Sequence, residues 1–206
     1  MDWSSYAAFI VVAVVVVIVP GPDFAVVTAN TLSGGRSRGR WCALGVANSN
    51  AVQGTAAAAG LGALIVASQP VFQAIRWAGV AYLTYLGIRA IVSAVRGRYA
   101  EPDDAAPDAR FGGWRQGFLS NITNPKVLVF YLAVLPQFLA PGAGLPVLVL
   151  FALSHAVLSL TYLMVLTAFL HRMRAVLRRR PVRRALDAVT GLALVAFGVR
   201  LAVSTK

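Results

Sequence analysis

Six long apolar runs, each closed off by charge or by glycine and proline, leave this chain few ways to fold. They extend from about Tyr6 to Thr28, Trp41 to Ala67, Val71 to Val95, Gly117 to Leu139, Leu145 to Leu170 and Ala185 to Val203. A helix needs about 20 mostly apolar residues to cross the hydrocarbon core of a bilayer, so each run is long enough to span it. Composition agrees: 58% of the 206 residues are hydrophobic and 13% are charged, against roughly 45–50% and about 25% in soluble domains. The expected fold class is an all-α integral membrane protein, one domain of six transmembrane helices. Ser68-Gln69-Pro70 and Pro141-Gly142-Ala143-Gly144 are short enough to close tight hairpins between runs two and three and between runs four and five. The first run lacks a basic leader and a small-x-small cleavage site, so it is expected to stay in the mature protein. Cys42 is the single cysteine and reads as a small apolar core residue.

The net charge of +12 raises the question of nucleic acid. The basic residues form no stripe and come with no nucleic-acid motif, so no such partner is expected. Fourteen of the 19 fall instead in alternate loops. Arg36, Arg38 and Arg40 follow the first run; Arg96, Arg98, Arg110 and Arg115 follow the third; Arg172, Arg174, Arg178, Arg179, Arg180, Arg183 and Arg184 follow the fifth. Lys and Arg mark the cytoplasmic side, which puts these loops inside and both termini outside. The last cluster reads as an anchor on anionic lipid of the bilayer. Glu101, Asp103, Asp104 and Asp108 mark a solvated linker at about residues 96–113, between halves of about 5–95 and 114–203.

The halves repeat. A shift of 105 residues lays Pro20 on Pro125 and Ser49-Asn50-Ala51-Val52 on Ser154-His155-Ala156-Val157. A shift of 111 lays Gly87-Ile88-Arg89 on Gly198-Val199-Arg200. Three spans is an odd number, so the second half is expected to be inverted relative to the first, an arrangement used by secondary transporters with a site near the midplane.

Pro20-Gly21-Pro22-Asp23 interrupts the first run and Asn124-Pro125-Lys126 the fourth, each thirteen residues from the outer end. Proline removes a backbone donor and clashes with the preceding turn, so helices 1 and 4 are expected to break there. A restarted helix presents unpaired N–H groups, which favour an anion such as a carboxylate. Prolines that only kink packed helices would leave the same residues, but the matched positions and the ionisable Asp23 and Lys126 favour a site. An ionisable side chain at that depth costs about 2.5–3.5 kcal/mol unless it is paired or faces water. Asp23 and Lys126 either pair with each other or meet the amino group and the carboxylate of a substrate. Asn48, Asn50 and Gln53 in run two and Ser154, His155, Ser159 and Thr161 in run five serve equally as hydrogen-bonding partners between helices. Asn50 and His155 occupy equivalent repeat positions, which makes them pocket candidates, and His155 a candidate proton relay. No metal-ligand cluster, phosphate loop or nucleophile elbow is present in the sequence, so neither a cofactor nor enzymatic activity is expected.

Three stretches resemble the LysE/RhtB amino-acid exporters: Pro20-Gly21-Pro22, Ala78 to Gly87, and Gly117-Phe118-Leu119-Ser120-Asn121-Ile122-Thr123-Asn124-Pro125-Lys126 followed by Leu135-Pro136-Gln137-Phe138. The resemblance runs from about residue 5 to residue 203, and the Asn-Pro-Lys segment with its downstream Pro-Gln-Phe is its most specific part. It implies export of small amino acids or derivatives, such as threonine, homoserine, leucine, lysine, arginine or homoserine lactones, from the bacterial cytoplasm across the inner membrane. It further implies coupling to the membrane potential or proton gradient, and frequently a homodimer. Members often carry Asn where this chain has Asp23, and Gly, Asp or His in the second span where it has Asn48-Ser49-Asn50 and Gln53. Both departures fall at the expected pocket, so substrate identity is not carried over. The candidate substrate or coupling residues are Pro20, Gly21, Pro22, Asp23, Asn48, Asn50, Asn121, Asn124, Pro125, Lys126 and His155. The alternatives are an exporter of another small solute, such as a cation, and a membrane subunit that transports nothing.

Overall fold

The computed structural model describes residues 2–19, 21–59, 69–96, 107–140, 143–173, 176 and 179–203. Among them stand seven α-helices: α1 (Trp3–Ile18), α2 (Pro22–Ala58), α3 (Gln69–Arg96), α4 (Pro107–Ile122), α5 (Pro125–Val129), α6 (Leu145–Arg172) and α7 (Arg180–Val203). No strand occurs among the described residues. Pro20, the first hairpin at Ser68 and most of the acidic linker lie outside them.

Helices α3, α6 and α7 coincide with the third, fifth and sixth apolar runs, and three features differ from the sequence reading. Runs one and two are not separated by a loop: α2 continues from one into the other, with a single non-helical residue at Gly35 (φ 76°, ψ −173°). Glycine adopts that left-handed φ without the penalty a Cβ brings, so the chain changes direction there and stays helical on both sides. Helix α4 starts at Pro107, well ahead of Gly117, and takes Arg110 and Arg115 into its turns. Beyond α5 the winding changes to a π-helical turn over Phe130–Val134 and a 3-10 turn over Leu135–Phe138. Pro136 accounts for this physically: it has no N–H to donate and its ring would crowd an α-helical carbonyl four residues back.

At the amino end, Asp2 caps α1 by accepting from the Ser4 and Ser5 amides. Hydrogen bonds from the Ser5 and Ser4 hydroxyls hold its carboxyl below the usual carboxylate range.

Glycine sets the close packing between helices. A Cβ on Gly117 of α4 would fall on the Cys42 carbonyl, and one on Gly45 of α2 would fall on the Trp114 carbonyl. Gly87 of α3 and Gly191 of α7 face each other so closely that a Cβ on either would lie 2.8 Å from the other's carbonyl oxygen. Small residues at helix crossings bring backbones together in this way, and dispersion then holds them. Two apolar clusters fill the interior. One joins Val26, Val27, Cys42, Val46, Leu83, Leu163 and Leu194; the other joins Phe9, Ala13, Phe130, Tyr131, Leu135 and Phe151.

The outer face is apolar as well. Tyr85, Ile88, Val92 and Val95 of α3, Val157, Val165 and Phe169 of α6, and Val189, Leu192, Val199 and Val203 of α7 are exposed at helical spacing. Inside lie Asn30, Asn50, Asn121, His155 and Asp187. Apolar side chains outward and polar ones inward is the arrangement expected of helices whose solvent is hydrocarbon. By length and apolarity, α6 alone among the described residues is sufficient to cross a membrane, and α1 with α2 makes a second span if the pair is one broken element.

Candidate functional site

Two helix starts meet inside the fold. Helix α1 ends at Ile18 with Val19 extended (φ −59°, ψ 117°), and α2 restarts at Pro22 with Gly21 as its N-cap. Helix α4 ends at Ile122, and α5 restarts at Pro125 with Asn124 as its N-cap. Pro suits the first position of a helix, where an amide N–H would have no partner in any case.

The two starts differ in chemistry. The Asn124 side chain accepts from the Lys126 amide at 3.1 Å, an ordinary asparagine cap. Val127 and Leu128 donate to the Asn124 carbonyl at 3.2 Å. The second start is therefore satisfied by its own asparagine, contrary to the expectation of unpaired N–H groups at both breaks. The start of α2 has no side-chain cap, because Gly21 has no side chain to offer.

Side chains from one break reach the other. Asn124 Nδ2 donates to Asp23 Oδ1 at 3.1 Å, and Lys126 Nζ donates to the Val19 carbonyl at 2.8 Å. The lysine stem passes over Gly21, where an added Cβ would lie 3.6 Å from both Cδ and Nζ. Asp23 and Lys126 are half-buried and line one cavity; the carboxylate accepts a hydrogen bond from Asn124 and the ammonium donates one to a carbonyl.

That cavity also takes Gly21, Asn50 and His155 into its wall, with Val16, Phe24 and Leu163 as apolar lining. Its volume is about 20 Å³, room for about one water molecule. Asn50 is 1% exposed and accepts from Asn121 Nδ2 at 2.7 Å, while its own Nδ2 has no hydrogen-bond partner. An unsatisfied buried amide donor costs about 1–3 kcal/mol, which is the kind of expense a ligand site retains. Asn121 also donates to the Val46 carbonyl at 3.2 Å, and Gln53 donates to the Asn121 carbonyl at 2.8 Å, so α4 and α2 are tied together directly behind the cavity. His155 Nδ1 pairs with the Tyr131 hydroxyl at 2.9 Å, and its ring lies 4.4 Å from that of Phe130.

Most of the residues expected at the site thus come together: Gly21, Asp23, Asn50, Lys126 and His155 line the cavity. Pro22, Asn121, Asn124 and Pro125 shape the elements around it. Asn48 does not join them. It is exposed, because two residues along an α-helix is a turn of about 200°, which puts it on the face opposite Asn50. Tyr131 was not anticipated: it lies in the π-helical turn, where helical spacing gives no register to read. Among the described residues no three His, Cys, Asp or Glu side chains stand close enough to hold a metal ion.

The sequence profile described as "LysE type translocator" matches residues 14–205. An uncharacterised membrane protein of Pseudomonas aeruginosa is 32% identical, over 98% of this chain and 96% of its own length. A leucine efflux protein of Klebsiella pneumoniae is 30% identical over 96% of this chain and 94% of its own. An uncharacterised membrane protein of Bacillus subtilis is 28% identical, over 97% and 99%. No solved structure matches the chain. With helices paired inside out for a bilayer and the family profile covering nearly every residue, this chain belongs to the LysE type translocator family, membrane proteins that move solutes rather than enzymes.

Proposed function

We propose that this protein exports small zwitterionic amino acids or their close derivatives across the bacterial cytoplasmic membrane, driven by the proton gradient. The observation that carries this reading is the lining of one cavity by a carboxylate, an ammonium and an unpartnered buried amide donor, at the meeting of two helix starts. A zwitterion needs that set. Its carboxylate exchanges the Val19 carbonyl for itself on Lys126 and takes the Asn50 amide, next to the uncapped start of α2, where the helix dipole also favours an anion. Its ammonium takes the place of Asn124 on Asp23. Asp23 and His155 are the titratable groups of the cavity that carry the coupling proton. Relatives named leucine efflux proteins support the substrate class and the outward direction, and make leucine the first probe.

A cavity with room for one water admits an amino acid only when its walls part. Six spans in two inverted halves provide such a motion, one half rocking on the other. The packing of α7 against α3, the sixth run against the third, supports this pairing of equivalent elements. The basic residues around Gly35 and those that follow the third and fifth runs support a cytoplasmic position for those segments, with both termini outside.

Everted membrane vesicles test the proposal with labelled leucine and an imposed proton gradient. Wild-type protein is expected to accumulate leucine in proportion to the gradient, and Asp23→Asn and Lys126→Gln, inserted at wild-type levels, to lose at least tenfold. Wild-type flux through Asp23→Asn would remove Asp23 from the mechanism.

A further inference from the structure

A second, larger cavity lies two helical turns from the first along the same helix. Asn30 lines it and Asp23 lines the first; seven residues apart, they share a face of α2 and are separated by about 10 Å of rise. Its volume is about 150 Å³, and a cavity of that size holds a molecule as large as benzene. One wall is polar and charged. Arg38 Nε donates to Asn30 Oδ1 at 2.8 Å, which fixes the guanidinium in the wall, and Arg89 stands at the exposed mouth beside Ser33. Buried Asp187 accepts from Ser93 Oγ at 3.2 Å. The other wall is aliphatic, from Val26, Leu86 and Leu194.

We propose that this cavity is a second substrate site, a cytoplasmic vestibule that takes an aliphatic α-amino acid before it reaches the site between the helix breaks. The inference rests on the exporter reading above. Two guanidiniums receive the carboxylate, as Arg forks do, Asp187 receives the ammonium, and the aliphatic wall receives the side chain. The residues at its mouth adjoin the arginine-rich stretch of α2 around Gly35 and the carboxyl-terminal part of α3, the side that the charge distribution favours as cytoplasmic. Leu194 lines the vestibule, Leu163 lines the inner cavity, and both belong with Val26 to one apolar cluster. That single layer is the partition a substrate passes when the halves rock.

The test is thiol protection in everted vesicles, which expose the cytoplasmic face. Ser33→Cys introduces a cysteine at the mouth, and the native Cys42 is buried and silent. Saturating leucine is expected to slow maleimide labelling at least fivefold, 4-methylpentanoate or isopentylamine to slow it less, and Arg89→Gln to abolish the effect. Ala90→Leu, which fills the cavity from its lining, is expected to raise the KM for leucine efflux several-fold. Asp23→Asn is expected to stop transport and keep the protection. Leucine transport by wild type, with no protection of Ser33→Cys and no KM change in Ala90→Leu, overturns the vestibule and leaves the exporter reading standing. Protection without transport supports the vestibule and counts against export. Neither protection nor transport overturns both.

Discussion

Asn124 holds the two helix breaks together, and removing its side chain gives a measurable loss in two separable parts. It is 1% exposed, caps α5 through Oδ1 and donates through Nδ2 to the Asp23 carboxylate. Loss of an asparagine cap costs about 1 kcal/mol. Loss of a hydrogen bond to a charged group costs about 1.5–3 kcal/mol. Asn124→Ala is therefore expected to destabilise the protein by about 2.5–4 kcal/mol, the sum of both. Asn124→Ser retains a cap but is too short to reach Asp23, so it is expected to lose only the larger part. Reversible unfolding in mixed micelles, followed by tryptophan fluorescence, reads both variants against wild type. A loss below about 0.5 kcal/mol in Asn124→Ala, well under either contribution, would refute the bridge. Equal losses in Ala and Ser would refute the cap.

Four further outcomes follow from the packing and the hydrogen bonds. Gly117→Ala puts a Cβ on the Cys42 carbonyl, and overpacking against backbone is expected to cost about 1–3 kcal/mol. Gly21→Ala meets the Lys126 side chain at 3.6 Å and the Val19 carbonyl at 3.9 Å, both ordinary contacts, and is expected to cost less than Gly117→Ala, through the poorer alanine N-cap alone. Asn48→Ala is expected to change neither stability nor efflux, while Asn50→Ala removes the shorter of the two hydrogen bonds of the buried Asn121 amide, costs about 0.5–1.5 kcal/mol in the same unfolding assay and lowers efflux. Tyr131→Phe removes the partner of His155 Nδ1 and is expected to shift the pH profile of efflux with a stability loss of about 0.5–1.5 kcal/mol. An unchanged profile would separate His155 from the coupling proton.

Prolines and apolar runs were legible because each acts locally. A Pro after Gly21 or Asn124 restarts a helix whatever surrounds it, and α3, α6 and α7 follow the apolar runs closely. What was not legible depends on who meets whom. The asparagine before Pro125 reads as part of a motif, and only the geometry shows that it caps α5 through its oxygen on the Lys126 amide and turns its own amide on Asp23. Asn48 and Asn50 read alike as polar residues in an apolar run, yet helix rotation sends one outward. The second cavity also leaves a mark in the sequence. Asn30 repeats the face of Asp23 two turns on, and Asp187 is an acid just inside the last apolar run, where charge is costly without a partner or water.

Transport by the purified protein in liposomes tests the central claim most directly. With labelled leucine on one side, flux is measured with and without an imposed pH difference, in wild type and in Lys126→Gln. The account predicts gradient-dependent leucine movement by wild type and its loss in Lys126→Gln. Leucine movement that ignores the gradient, or that survives in Lys126→Gln, would contradict it.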